Sequence, residues 1–252
     1  AANFLNQGQN VLYITLEMSE ERIAERIDAN LMDVTMDDLH DMPKELYDGK
    51  MSKLRSKTAG SLIIKEYPTA SAHAGHFKGL LNELSLKKSF KPQIIFIDYL
   101  NICASSRFKG GNISSYFYIK AIAEELRGLA VEFDVPIFSA TQTTRTGFVS
   151  TDIGLEDTSE SFGLPATADF MFALMTNEEL DALGQMKVKQ LKNRYNDPGT
   201  NRAFIIGVDK SKMRLYDVEN SAQNIVDSNQ TKEKENYPSP EQAYDKFSDF
   251  KI

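Results

Sequence analysis

The sequence predicts an α/β fold: a mostly parallel central sheet flanked by helices, ending in a C-terminal antiparallel hairpin. Three observations carry that expectation. Strand-like apolar runs alternate with helical ones along most of the chain, the pattern of strand–helix–strand crossovers. Three strands end in a polar group that a parallel sheet presents at its carboxyl edge: Glu17 after VLYITL, Asp98 after IIFI and Gln142 after IFSAT. A chain of 252 residues with 41% hydrophobic content supplies one core and leaves material for a tail.

Taken in order, residues 1–9 (AANFLNQGQ) read as the last turns of a helix, and the first strand follows at 13–16. A helix is expected over 19–31, with Ser19 as its N-cap and Glu20 and Glu21 in the first turn, where carboxylates suit the positive helix end. Residues 44–57 form a charged helix leading to a strand at 61–67. Residues 73–86 are helical, and Pro92 introduces the apolar strand 94–97. Over 115–133, Ile119, Ile122, Leu126, Leu129 and Phe133 recur at helical spacing, so one face packs on the sheet. Further strands are expected at 137–140, 170–174, 188–191, 204–208 and 213–218, the last two joined by DKSK as a hairpin. Residues 1–219 thus form one domain. Residues 220–252 form a polar tail, in which 220–240 reads as a flexible linker. At its end Tyr244, Phe247 and Phe250 recur every third residue, which fits either a frayed terminus or a short helix that docks in a partner's groove.

Composition excludes several classes. No apolar run reaches the length of a membrane span, and the first residues lack a secretion signal, so the chain is expected to be soluble. The single Cys103 cannot form an internal disulfide and fits a reducing cytoplasm. Three scattered histidines make a structural zinc site improbable. A net charge of −7 argues against a basic face that coats nucleic acid, leaving only local sites on a few loops.

The polar strand ends suggest phosphate chemistry. A carboxylate where Asp98 stands can hold Mg²⁺ through water beside a nucleotide, although an apolar run ending in Asp is common in α/β proteins. Glu17 on a neighbouring strand could polarise an attacking water, and Gln142 could sense a γ-phosphate. Lys192 and Arg194 stand two apart on a strand before the turn formers 196–199, so they point the same way and could reach a neighbour's nucleotide. Exposed strands also carry such cations without function. Two loops at the same sheet end, 105–115 with Arg107 and Lys109 and 143–157 with Arg145, offer backbone N–H groups, hydroxyls and modest charge for gripping a phosphate backbone. A G-x-x-x-x-G-K-[ST] phosphate loop occurs nowhere in these residues, so the chain reads as a motor core cut just after such a loop.

Five blocks in order, LEMSEERIAER, IIFIDYL, SATQTTR, DTSESFGLPATADF and KNRYNDPG, resemble the motor domain of DnaB-type hexameric replicative helicases, with wording closest to those of T-even-like bacteriophages. The resemblance covers roughly residues 1–219 and implies a RecA-like P-loop NTPase core that uses ATP and Mg²⁺. It makes Glu17 the catalytic base, Asp98 the magnesium-side carboxylate, Gln142 the γ-phosphate sensor, and Lys192 and Arg194 the groups acting on the neighbouring subunit's ATP. Arg107, Lys109 and Arg145 would line a central channel, and the segment containing Glu160 and Gly163 would help carry DNA phosphates. Ser159 departs from the many members that place arginine there, which removes a cation from that contact. Implied partners are single-stranded DNA, further copies in a hexameric ring, primase and a helicase loader, all in a host cytoplasm. Without a phosphate loop and an amino-terminal collar, the polypeptide is expected to be inactive alone. A RecA-like recombinase and a non-hydrolysing DNA- or partner-binding module are the competing readings.

Overall fold

The structure is a computed structural model, and it describes residues 1–57, 60–108, 113–143, 153–157, 163–197, 199–219 and 223. Among the described residues, eight strands lie in two sheets of four. The first is parallel: β1 (Val11–Thr15) pairs with β2 (Leu62–Glu66) on one side and β3 (Ile94–Asp98) on the other, and β3 pairs with β4 (Ile137–Ser139), giving the order β2-β1-β3-β4. The second is antiparallel, with β5 (Phe170–Met175), β6 (Gln185–Asn193), β7 (Ala203–Asp209) and β8 (Arg214–Asp217) in sequence order. The expected hairpin is the β7–β8 pair, and the antiparallel part extends beyond it to four strands.

Alternation along the parallel strands creates two apolar faces. Val11 and Ile94 face one way, against Leu5 of α1 (Ala2–Asn6) and Ile23 and Ile27 of α2 (Glu20–Met32). Leu12, Ile14, Ile95 and Ile97 face the other, in a core with Phe77 and Leu81 of α5 (Ala74–Lys88) and Ile122 and Leu126 of α6 (Ser115–Phe133). Each fully buried Leu, Ile or Phe contributes about 2 kcal/mol of transfer free energy, so helices on both faces are what makes this short-stranded sheet stable.

Local signals explain α2. The Ser19 side chain accepts the Arg22 N–H at 3.3 Å, Glu20 and Glu21 occupy the first turn, and Ile23 and Ile27 sit one turn apart on the buried face. The helix stops at Asp33, whose φ of 54° is a left-handed conformation that a short polar side chain tolerates. Asp33 then accepts from Lys212 at 3.1 Å and Arg214 at 3.0 Å, while Asn30 Nδ2 donates to the Met213 carbonyl at 2.6 Å. These contacts tie α2 to the β7–β8 turn, across nearly the whole described chain. The charged helix expected at 44–57 is α4 (Lys44–Lys57), and it leans on α2 through the Tyr47 hydroxyl, which donates to Asp28 at 2.7 Å.

Three short helices lie outside the expected pattern: α3 (Met36–His40), α7 (Gly163–Thr167) and α8 (Glu178–Ala182). Thr35 and Asn177 cap the first and last of them. Each spans barely more than one turn, too short for an apolar period to register in sequence. The polar tail, apart from residue 223, falls outside the described residues.

Candidate functional site

The parallel register brings Glu17, Asp98 and the segment before Gln142 to one edge. Thr15 pairs with Asp98, and the Leu16 N–H donates to the Asp98 carbonyl at 2.9 Å, so Glu17 leaves the sheet beside the end of β3. On the other side of β3, the Leu100 N–H donates to the Ala140 carbonyl at 3.2 Å. The 15–18 turn is shaped from within. Thr15 is fully buried, and its hydroxyl donates to the Met18 carbonyl at 2.8 Å and accepts the Met18 N–H at 3.1 Å. The Thr69 hydroxyl donates to the Leu16 carbonyl at 2.7 Å and fixes the same turn from β2's side. Glu17 itself is exposed and has no side-chain partner among the described residues.

Asp98 is half-buried. Its Oδ2 accepts the Tyr13 hydroxyl at 3.0 Å, and its other oxygen has no protein donor among the described residues. Burial, then the Asp98 charge and this hydrogen bond, push the Tyr13 phenol well above its usual range, so it stays protonated and donates. Gln142 is exposed, and its Nε2 donates to the Tyr99 hydroxyl at 3.2 Å. Two buried oxygens at the same edge, Asn101 Oδ1 and Thr141 Oγ1, have no partner among the described residues. Hard oxygen donors with unspent acceptor and hydroxyl capacity fit a hydrated Mg²⁺ next to a polar ligand. They do not suffice for a nucleotide's phosphates: the acidic side chains at this edge offer only negative charge, and a polyanion needs cations or a nest of N–H groups. Sequence reasoning missed Tyr13, Thr15 and Tyr99, because within apolar runs they read as strand formers.

A second group forms around the end of β6. Lys192 Nζ donates to the carbonyls of Pro165 and Ala166, and an Arg194 Nη donates to the Ala166 carbonyl at 3.0 Å. Arg194 Nε is 3.1 Å from Asp169 Oδ1, which Arg127 of α6 also reaches at 3.1 Å. Burial, then repulsion from Arg194, pulls the Lys192 ammonium below its usual value. The expected pair is thus together and on one side, held by α7 and the start of β5.

Of the expected DNA contacts, Arg107 pairs with Glu124 at 2.5 Å, and Gly163 is buried as the first residue of α7. The Ser105 hydroxyl and the Ser106 N–H and hydroxyl all donate to Glu125, fastening the start of that loop to α6. Lys109, Arg145 and Glu160 lie outside the described residues.

Residues 1–213 match the family described as the DnaB-like helicase C-terminal domain. The chain is 49% identical over 222 residues to the DnaB-like replicative helicase of Enterobacteria phage T4, covering 87% of this chain and 47% of that protein. It is 32% identical over 146 residues to a probable plasmid replicative DNA helicase of Chlamydia trachomatis serovar L2, covering 56% of this chain and 30% of the relative. The chain therefore spans about half or less of the length of these relatives. Two solved structures share its fold at a TM-score of 0.70 and 20% identity over 87% of the chain. One is a DnaB-like replicative helicase described with its primase interactions, of which 53% is covered, and the other an ATPase domain, of which 78% is covered. The order of the strand-end residues, the two sheets and these similarities agree, and the chain belongs to the DnaB-like helicase C-terminal domain family.

Proposed function

We propose that this chain is the motor domain of an ATP-driven ring helicase that moves on single-stranded DNA. The observation that carries the reading is that the backbone places Glu17, exposed and without a side-chain partner among the described residues, beyond the strand end that pairs with Asp98. When bound, ATP with Mg²⁺ supplies a polarised γ-phosphoryl group as the electrophile. Asp98 would hold the metal's water shell, Glu17 would accept a proton from the attacking water, and Gln142 would register the γ-phosphate and pass its presence to Tyr99. Lys192 and Arg194 would act across a subunit boundary on the neighbour's nucleotide, stabilising negative charge in the transition state.

Arg107, Lys109, Arg145, Glu160 and Gly163 are the proposed DNA contacts. Few cations per subunit imply a weak, shallowly salt-dependent grip that a hexameric ring multiplies by avidity. Primase and a helicase loader are the proposed protein partners, and the cytoplasm of a host cell the proposed location. No helix among the described residues is long and apolar enough to cross a membrane.

The test has two parts. The 252-residue chain alone should show no micromolar heat of ATP binding in titration calorimetry with Mg²⁺, because it contains no phosphate loop. Joined to an upstream G-x-x-x-x-G-K-[ST] segment it should hydrolyse ATP, and Glu17→Gln should lower turnover at least about a hundredfold with nucleotide affinity retained. Undiminished turnover in that variant removes Glu17 from the chemistry. Absence of hydrolysis in the joined protein favours a non-hydrolysing binding module.

A further inference from the structure

The assignment of Asp98 leaves open what aims its carboxylate. Asp98 is the last residue of β3, and the ladder fixes its backbone but not which way its half-buried carboxylate turns. Tyr13 stands one strand over. Its backbone pairs with Phe96, two residues before Asp98, so Tyr13, Phe96 and Asp98 project from the same face of the sheet. Two residues of strand span roughly 6.6 Å, close to the reach of a tyrosine side chain from backbone to hydroxyl. The phenol lies along the strand direction, stacked on Phe96 with ring centroids 6.0 Å apart and planes 20° from parallel, and its hydroxyl meets Asp98 Oδ2 at 3.0 Å.

We propose that Tyr13 is a positioning residue for the divalent cation: its hydroxyl occupies one oxygen of Asp98 and so turns the other toward the metal's water shell. The inference rests on the reading of Asp98 as the metal-side carboxylate and deepens it. Phe96 sets the ring, the ring sets the hydroxyl, and the hydroxyl sets the carboxylate. A charge-assisted bond of this kind survives at the strand end because the phenol is partly buried, while no donor among the described residues holds the carboxylate's other oxygen. Phenylalanine at this position would preserve the stack and remove only the hydrogen bond.

The experiment uses the chain joined to an upstream phosphate loop and measures Mn²⁺ binding from the free-ion electron paramagnetic resonance signal, with a non-hydrolysable ATP analogue present. Tyr13→Phe and Asp98→Asn are compared with the parent. Affinity for the fluorescent nucleotide in EDTA and the unfolding temperature are recorded for each. The expected result is Mn²⁺ binding weakened roughly tenfold in Tyr13→Phe, as loss of a hydrogen bond to a charged group implies. Asp98→Asn should weaken it further, with metal-free nucleotide affinity and unfolding temperature unchanged in both. Parent-like Mn²⁺ binding in Tyr13→Phe beside a weakened Asp98→Asn overturns the role of Tyr13 and leaves that of Asp98 standing. Parent-like binding in Asp98→Asn overturns both. Equal losses of Mn²⁺ and metal-free nucleotide affinity in Tyr13→Phe reduce the contact to packing and also overturn the proposal.

Discussion

Asp169 accepts from Arg127 and Arg194 through the same oxygen, at 3.1 Å each, so one carboxylate sets the direction of the side chain proposed to act in trans. Asp169→Asn should keep nucleotide affinity and reduce turnover about tenfold, because a neutral amide holds a guanidinium less firmly. Steady-state hydrolysis alongside fluorescent-nucleotide binding checks this. If Arg194 works across the boundary, rings mixed from Arg194→Ala and Glu17→Gln subunits regain turnover, since some interfaces then combine an intact Glu17 with an intact Arg194. No recovery in mixed rings assigns Arg194 to its own subunit. The candidates Glu17, Asp98, Gln142, Lys192 and Arg194 stand out in the sequence because each is a polar residue ending an apolar run or spaced along a strand. Their supports were not. Asp169 lies 25 residues before Arg194 in the chain, Tyr13 lies 85 before Asp98, and only folding places them in contact.

The same divide holds for the elements. The long helices and the parallel strands follow from caps and apolar periods, and Ser19 shows the strength of a cap: Ser19→Ala should cost about 1 kcal/mol of stability by denaturant unfolding. By contrast β6 runs over Gln185–Asn193, longer than its apolar stretch, because pairing with both β5 and β7 satisfies backbone groups that its polar residues give no reason to expect. At the start of the loop that precedes α6, Glu125 gathers the Ser105 hydroxyl and the Ser106 N–H and hydroxyl. Burial raises its pKa, but those hydrogen bonds outweigh it and hold the carboxyl below the usual glutamate range. A carboxyl whose folded pKa is depressed stabilises the fold above its unfolded pKa and loses that contribution as pH falls through the folded value. Unfolding free energy should therefore drop on acidification from roughly pH 5 to pH 3, and Glu125→Gln should flatten that slope.

At the scale of the whole molecule, four strands edge the two sheets among the described residues, β2 and β4 in the parallel sheet and β5 and β8 in the antiparallel one, each bonded to a single neighbour. Of these, β4 and β5 carry exposed phenylalanines and a leucine: Phe138 at 41%, Phe170 at 48%, Phe172 at 45% and Leu174 at 51% exposure. Such edges template further pairing. The chain alone should bind a hydrophobic dye and self-associate as concentration rises, and Phe172→Lys should reduce both, as read by dye fluorescence and sedimentation velocity. Dye binding and sedimentation unchanged by the substitution would place the association elsewhere. The contact between the end of α2 and the β7–β8 turn works on a different clock. Asp33 and Arg214 are 181 residues apart, and Asn30 and Met213 are 183 apart. On a translating ribosome Asp33 emerges first and waits roughly ten to forty seconds for its cationic partners to be synthesised. Throughout that interval water alone can pair with the Asp33 carboxylate, so the last turn synthesised in the antiparallel sheet supplies the cations that dock on the end of α2.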